Sequence, residues 1–227
     1  MIKLAKLKHC IIALSAITIM GCSSTYDSDA PQVSPDGLEL KKNTRSTLAY
    51  KKADINFAEY DKIQISPSTV AFNKNWQRDY NRNTTSLSSR VRDSDVVRIK
   101  SSVAELLNEV FKEEFSNVSN FSLVESPSAG TLLIKPSIIN LDVNAPDINS
   151  ATRSRTYTEE TGSATLFLEI YDAVSGEILV RVLDTETAGD NGFYQWSSRV
   201  SNRADAKRVI RNWAKTLRAK FDLVHAK

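Results

Sequence analysis

Few side chains in this 227-residue sequence suit covalent catalysis. The histidines are His9 and His225, and the cysteines are Cys10 and Cys22. A Ser-His-Asp or Cys-His arrangement needs a base held beside its nucleophile. Here both histidines lie at the extremes of the chain. Zinc sites of the usual kind need several Cys or His ligands, which so small a set does not supply. No G-x-x-x-x-G-K-[ST] or G-x-G-x-x-G motif occurs, and the seven glycines are too few to build a phosphate cradle. Paired carboxylates remain, because glycoside hydrolysis needs only two acids. The candidates are Glu159 with Glu160, and Asp184 with Glu186. Counting by twos along a strand places the second pair on its non-core face. Solvated acids are the plainer reading of both pairs. The chain is therefore expected to be no enzyme, with no catalytic residue, no cofactor and no metal.

Side chains suited to binding are more plentiful. The polar stretch 73–92 holds Trp76, Arg78, Tyr80, Arg82 and Arg90. Aromatic rings stack on sugar faces and guanidinium groups pair with anions. The competing expectation is that Trp76 and Tyr80 pin the loop to the core. Near the C-terminus, Lys207, Arg211, Lys215 and Arg218 fall on one helix face, with Arg208 beside them. Like charges four apart repel, and such a face suits anionic head groups or plain solvent. Phe193, Tyr194 and Trp196 are spaced for a partly buried segment. The stretch 144–161 is a polar loop with Arg153 and Arg155.

The N-terminus carries a different chemistry. Lys3, Lys6 and Lys8 precede an apolar to weakly polar run from Cys10 to Met20, with no acid among them. These are the charged and apolar regions of a secretory signal. The run is about half of the roughly 20 residues that a membrane-spanning helix needs. Its end, Ile19-Met20-Gly21-Cys22, resembles a lipobox. That resemblance implies a thioether-linked diacylglycerol on Cys22 Sγ and cleavage after Gly21. By similarity to enterobacterial lipoproteins, Ser23 rather than Asp after the cysteine implies the outer membrane. Each buried CH₂ contributes about 0.8 kcal/mol, so two or three acyl chains make a stable anchor.

Removing residues 1–21 changes the bookkeeping of charge. The full chain has 30 Lys and Arg against 27 Asp and Glu, and the signal removes three lysines. The mature chain is then balanced, and nothing in it points to nucleic acid. Cys10 leaves and Cys22 is acylated, so no disulfide is available although the compartment permits one.

The elements that must position these residues follow from pattern. Residues 22–45, rich in Ser, Asp, Pro and Lys, bury too little to offset chain entropy. They read as the acylated cysteine and a flexible tether, with a mean reach of roughly 25–30 Å and with 37–40 able to dock. Residues 46–227 read as one globular domain. Lys62–Ile65 and Val70–Phe72 alternate as a strand broken at Pro67. Ser94 suits a helix cap, and Val96, Ile99, Val103, Leu106 and Val110, widened by Leu107 and Phe111, form a helical stripe. Phe121–Val124 and Thr131–Val143 read as strands, Pro136 marking a bend or edge. Residues 164–171 and 177–183 form a hairpin across Asp172–Gly176. Asn202 suits the cap of a last helix carrying Val209, Ile210, Trp213, Leu217 and Phe221. The order predicts an α+β fold: a two-layer sandwich, its mixed but mostly antiparallel sheet of about five strands carrying two long helices on one face.

Tyr50–Phe57 with Tyr60–Pro67, Ser128–Ile134, Asp172–Glu177, and Trp196 with Trp213-Ala214 together resemble stretches of the domain-of-unknown-function 3313 family of bacterial lipoproteins. The resemblance implies a lipoprotein of unassigned function and brings no catalytic residues with it. The expectation is a lipid-anchored module facing the periplasm from the cell outer membrane, binding an envelope protein or a cell-wall component. An accessory subunit of an envelope secretion or assembly complex is the alternative, ahead of a glycan hydrolase.

Overall fold

The structure is a computed structural model. It describes residues 29–116, 121–144, 146, 156–158, 162–188, 195–197 and 199–225. Cys22, the expected signal, Glu159, Glu160 and the ring side chains at 193, 194 and 196 lie outside what it describes.

Along the chain come β1 (Glu39–Asn43), β2 (Thr47–Lys51), β3 (Lys62–Ile65), β4 (Thr69–Phe72), α1 (Trp76–Arg82) and α2 (Asp93–Ser116). There follow β5 (Ser122–Leu123), β6 (Thr131–Val143), β7 (Thr156–Thr158), β8 (Gly162–Asp172), β9 (Ile178–Ala188), β10 (Gln195–Ser197) and α3 (Arg199–His225). Eight strands form one open mixed sheet in the order β1-β2-β9-β8-β6-β3-β5, with β4 also paired to β6. Strands β7 and β10 make a separate antiparallel pair. The fold is thus α+β as expected, with a larger sheet than the five strands foreseen. Both halves of the broken first strand pair with β6 in parallel, and β5 pairs with β3 in parallel across the α2 crossover. β6, β8 and β9 form the expected antiparallel meander.

Two differences have simple causes. The stretch read as tether contains β1, and Leu38 beside it is buried. Ser34 Oγ accepts from the Leu38 amide at 3.1 Å, Tyr50 Oη donates to the Pro31 carbonyl at 3.1 Å, and Arg181 pairs with Asp36. Average composition over 24 residues hides one buried leucine and a five-residue strand. Pro136 sits inside the sheet, not at its edge, between β3–β4 and β8. The Ile134 carbonyl accepts from the Ser66 amide, so by alternation position 136 also turns its backbone toward that side. There β3 has ended and β4 begins only opposite Ser137, so no ladder bond misses the N–H that proline lacks.

One core cluster joins sheet and helices. Leu132, Ile134 and Ile138 of β6 and Leu166, Leu168 and Ile170 of β8 alternate into it. They meet Leu106, Leu107, Val110, Phe111 and Phe115 of α2 and Ile210, Trp213, Ala214 and Phe221 of α3. α2 begins before Ser94, and Asp95 completes its start by accepting from the Arg92 amide at 3.1 Å. α3 likewise begins before Asn202.

Candidate functional site

The N-terminal halves of α2 and α3 stand over the second half of β6 and the adjoining ends of β8 and β9. Between them lies a cavity of about 300 Å³. Its walls are mainly apolar: Ile99, Val103 and Leu106 from α2, Val209 and Ile210 from α3, and Ile138, Leu141 and Val143 from β6. The space exists because several wall positions are small, among them Ser102, Ala164, Ala188 and Ala206.

Strand β6 reaches this wall through a bulge. Ile139 is opposite Thr165 and Asp142 is opposite Ser163, so β6 carries one extra residue there. Asn140 takes a left-handed conformation (φ 52°), which Asn tolerates better than most residues. Without the extra residue, 140 and 142 would follow Ile138 inward. With it, Leu141 and Val143 turn to the core side. Trp76 fixes the end of the strand by donating its indole N–H to the Val143 carbonyl at 3.3 Å.

Asp184 and Glu186 also face this side, which corrects the expectation that they lie on the non-core face. Ile170 is opposite Val180 while Tyr171 is opposite Ile178, so Leu179 is an inserted residue in β9. From there the even positions Val180 and Val182 pack on the core, because one inserted residue exchanges the two faces of a strand. Asp184 accepts from Thr47 Oγ1 at 2.5 Å and from the Trp213 indole N–H at 2.8 Å. Glu186 lines the cavity. Burial first, and the neighbouring charge of Asp184 second, push its carboxyl above the ordinary glutamate value. Arg98, Asp142, Ser163, Asn202 and Arg203 add further polar groups to the wall. Among the described residues, no three His, Cys, Asp or Glu side chains gather as a metal site.

The expected binding residues separate into two groups, neither on the cavity wall. Trp76 is buried, stacks on Phe72 with centroids 4.1 Å apart, and leans on Tyr80 at 5.9 Å. The two rings therefore hold α1 on the domain. Arg78 and Arg82 are exposed and pair with Asp79 at 3.0 and 3.2 Å. On α3, Lys207 bridges Glu109 and Glu113, Arg211 meets Glu113 and Glu114, and Arg218 meets Glu114. The basic stripe is thus a seam to α2 rather than a face turned to solvent. Lys215 is exposed, and none of the described ion pairs includes it. Partner numbers rise together on the two helices, so they run the same way. The sequence carried the signal for this seam: Glu105, Glu109 and Glu113 repeat at the same interval of four as the α3 cations. The cavity had a fainter one, small residues in the N-terminal turns of both stripes.

This geometry defines an α+β domain with a mixed sheet, two long parallel helices and an apolar cavity between them. Residues 30–217 match the family described as protein of unknown function DUF3313, and the chain belongs to that family. No curated protein matches it. Among solved structures it is similar to the PelC dodecamer from Paraburkholderia phytofirmans, at 10% identity and a TM-score of 0.32, over 72% of this chain and 93% of that one. A candidate lipoprotein from Caulobacter crescentus CB15 is 10% identical over 55% of this chain and 85% of its own, with a TM-score of 0.33. The hypothetical protein CT253 from Chlamydia trachomatis is 10% identical over 73% of this chain and 99% of its own, with a TM-score of 0.36.

Proposed function

We propose that this chain is a non-catalytic binding module of the cell envelope, anchored by acylated Cys22 to the outer membrane and facing the periplasm. The observation that carries the reading is the sequence Ile19-Met20-Gly21-Cys22-Ser23, which closes an apolar run behind three lysines. No described helix is long and apolar enough to cross a membrane, so lipid on Cys22 is the attachment proposed. The non-catalytic part of the reading is supported by His225. Its two ring nitrogens lie 3.1 Å from the Phe221 carbonyl and 2.9 Å from the Tyr60 carbonyl. The side chain is occupied in tying α3 to the start of β3. Asp184 is occupied likewise, by Thr47 and Trp213.

Metabolic labelling with an alkyne palmitate analogue tests the anchor. The chain is expected to take up label and to co-sediment with outer-membrane fractions. Cys22→Ser is expected to lose the label and to appear in the soluble or inner-membrane fraction. An unlabelled wild-type chain overturns the reading.

A further inference from the structure

A mainly apolar cleft that opens to solvent favours an apolar guest, because the guest covers hydrocarbon that water would otherwise wet. We infer that the cavity between α2, α3 and the β6–β8–β9 wall binds one saturated acyl chain of about ten to twelve carbons. The chain belongs to a single-chain amphiphile whose head group stays in water. Length follows from size. An apolar cavity of about 150 Å³ accommodates benzene, and this one is about 300 Å³, room for about twice as many carbons. Class follows from the lining. Val103, Leu106, Leu141 and Val209 present only hydrocarbon, and the Trp213 indole N–H is already given to Asp184. Arg203, with a side chain about half exposed, stands where the cavity meets solvent, and Glu186 carries the opposite charge on the same wall. Charges of both signs there select no particular head group, so the chain is what the site recognises.

The site stands apart from the lipid anchor, and a failed Cys22 labelling leaves it untouched. The test uses residues 22–227 with Cys22→Ser in detergent-free buffer. Residues 22–227 include every described residue, and circular dichroism before the titration checks that this chain is folded. The probe is 12-bromododecanoate below its micelle concentration, since bromine quenches a tryptophan that it touches. Saturable quenching is expected, and Trp213→Phe is expected to remove it. Dodecanoate and dodecyl maltoside are expected to compete alike. Competition is expected to strengthen from octanoate to dodecanoate and to gain nothing further at hexadecanoate. Ser102→Leu and Ala206→Leu fill the cavity from opposite helices, and each is expected to raise the Kd at least tenfold with the circular dichroism spectrum unchanged. If one of them fails to fold, the other still decides. Quenching that does not saturate, that survives both filled variants, or that persists in Trp213→Phe overturns the inference. So does competition by dodecanoate but not by dodecyl maltoside.

Discussion

Where α2 and α3 end, ring meets ring. Phe221 has Phe121 at 5.4 Å, Phe115 at 6.1 Å and Phe57 at 6.2 Å, and His225 lies edge-on to Phe121 at 4.4 Å. Where the same helices begin, Ser102 and Ala206 leave about 300 Å³ unfilled against the sheet. Both ends belong to continuous helices over one sheet. Side-chain volume makes the difference. One end holds the layers together, and the other can keep a space because the first is so densely packed.

The comparison breaks most visibly if the two ends respond alike to a change of volume. Phe221→Ala removes a ring from the centre of the aromatic cluster and is expected to destabilise by about 3–5 kcal/mol. Ala206→Leu adds hydrocarbon at the open end and is expected to leave the urea midpoint unchanged or raised. Urea unfolding followed by circular dichroism reads both. A loss in Ala206→Leu comparable to that in Phe221→Ala would mean that the open end is as tightly filled as the closed one.

These two ends were unequally legible in the sequence. The stripes of α2 and α3 are plain at spacings of three and four, because large apolar side chains announce a buried face. Ile99, Val103, Leu106, Leu107, Val110 and Phe111, and on the other helix Val209, Ile210, Trp213, Leu217 and Phe221, all belong to or pack on the core. The long strand and the hairpin at Asp172 were equally plain. The turn is fixed by the Asp172 carboxylate, which accepts from the Val174 and Ser175 amides, and by Gly176 at φ 72°. The cavity could not be read in the same way. Its walls come from five elements, and an alanine on a helical stripe looks the same whether it touches a neighbour or faces a void. The bulges at Asn140 and Leu179 were hidden too. Each is a single added residue, without a sequence mark strong enough to reverse a count by twos. That is why a count by twos puts Asp184 and Glu186 on the wrong face.

Along the seam between the helices the contrast is one of exposure. Glu114 is buried toward the closed end, with its side chain 10% exposed, and takes both Arg211 and Arg218. Glu109, nearer the open end, is 47% exposed and pairs with Arg203 and Lys207. A shielded carboxylate between two guanidinium groups leaves uncompensated charge when it is neutralised, whereas an exposed pair is screened by water. Glu114→Gln is expected to destabilise by about 2 kcal/mol, and Glu109→Gln by much less. Equal effects in thermal unfolding would show that the seam does not become drier toward the aromatic end.

The smallest effect belongs to the cavity wall, and its sign is the informative part. In the folded chain the Glu186 carboxyl is held above its ordinary value, by burial first and then by Asp184. The fold therefore binds that proton more tightly than the unfolded chain does. Stability linked to it is fully present below the ordinary glutamate range and is lost as pH rises through the raised value. At neutral pH the charged carboxylate is a mild liability beside the apolar walls, much reduced because water still reaches it. Glu186→Gln keeps the shape without the charge and is expected to raise Tm at pH 7 by about 1 °C. The gain is expected to vanish as the pH falls below the ordinary glutamate range. Asp184, two residues earlier on the same face, should respond in the opposite direction, because Asp184→Asn weakens the acceptor shared by Thr47 and Trp213. A Tm that falls at pH 7 in both variants would mean that Glu186 is also structurally bonded, and that the open end of the helix pair is closed by polar contacts there.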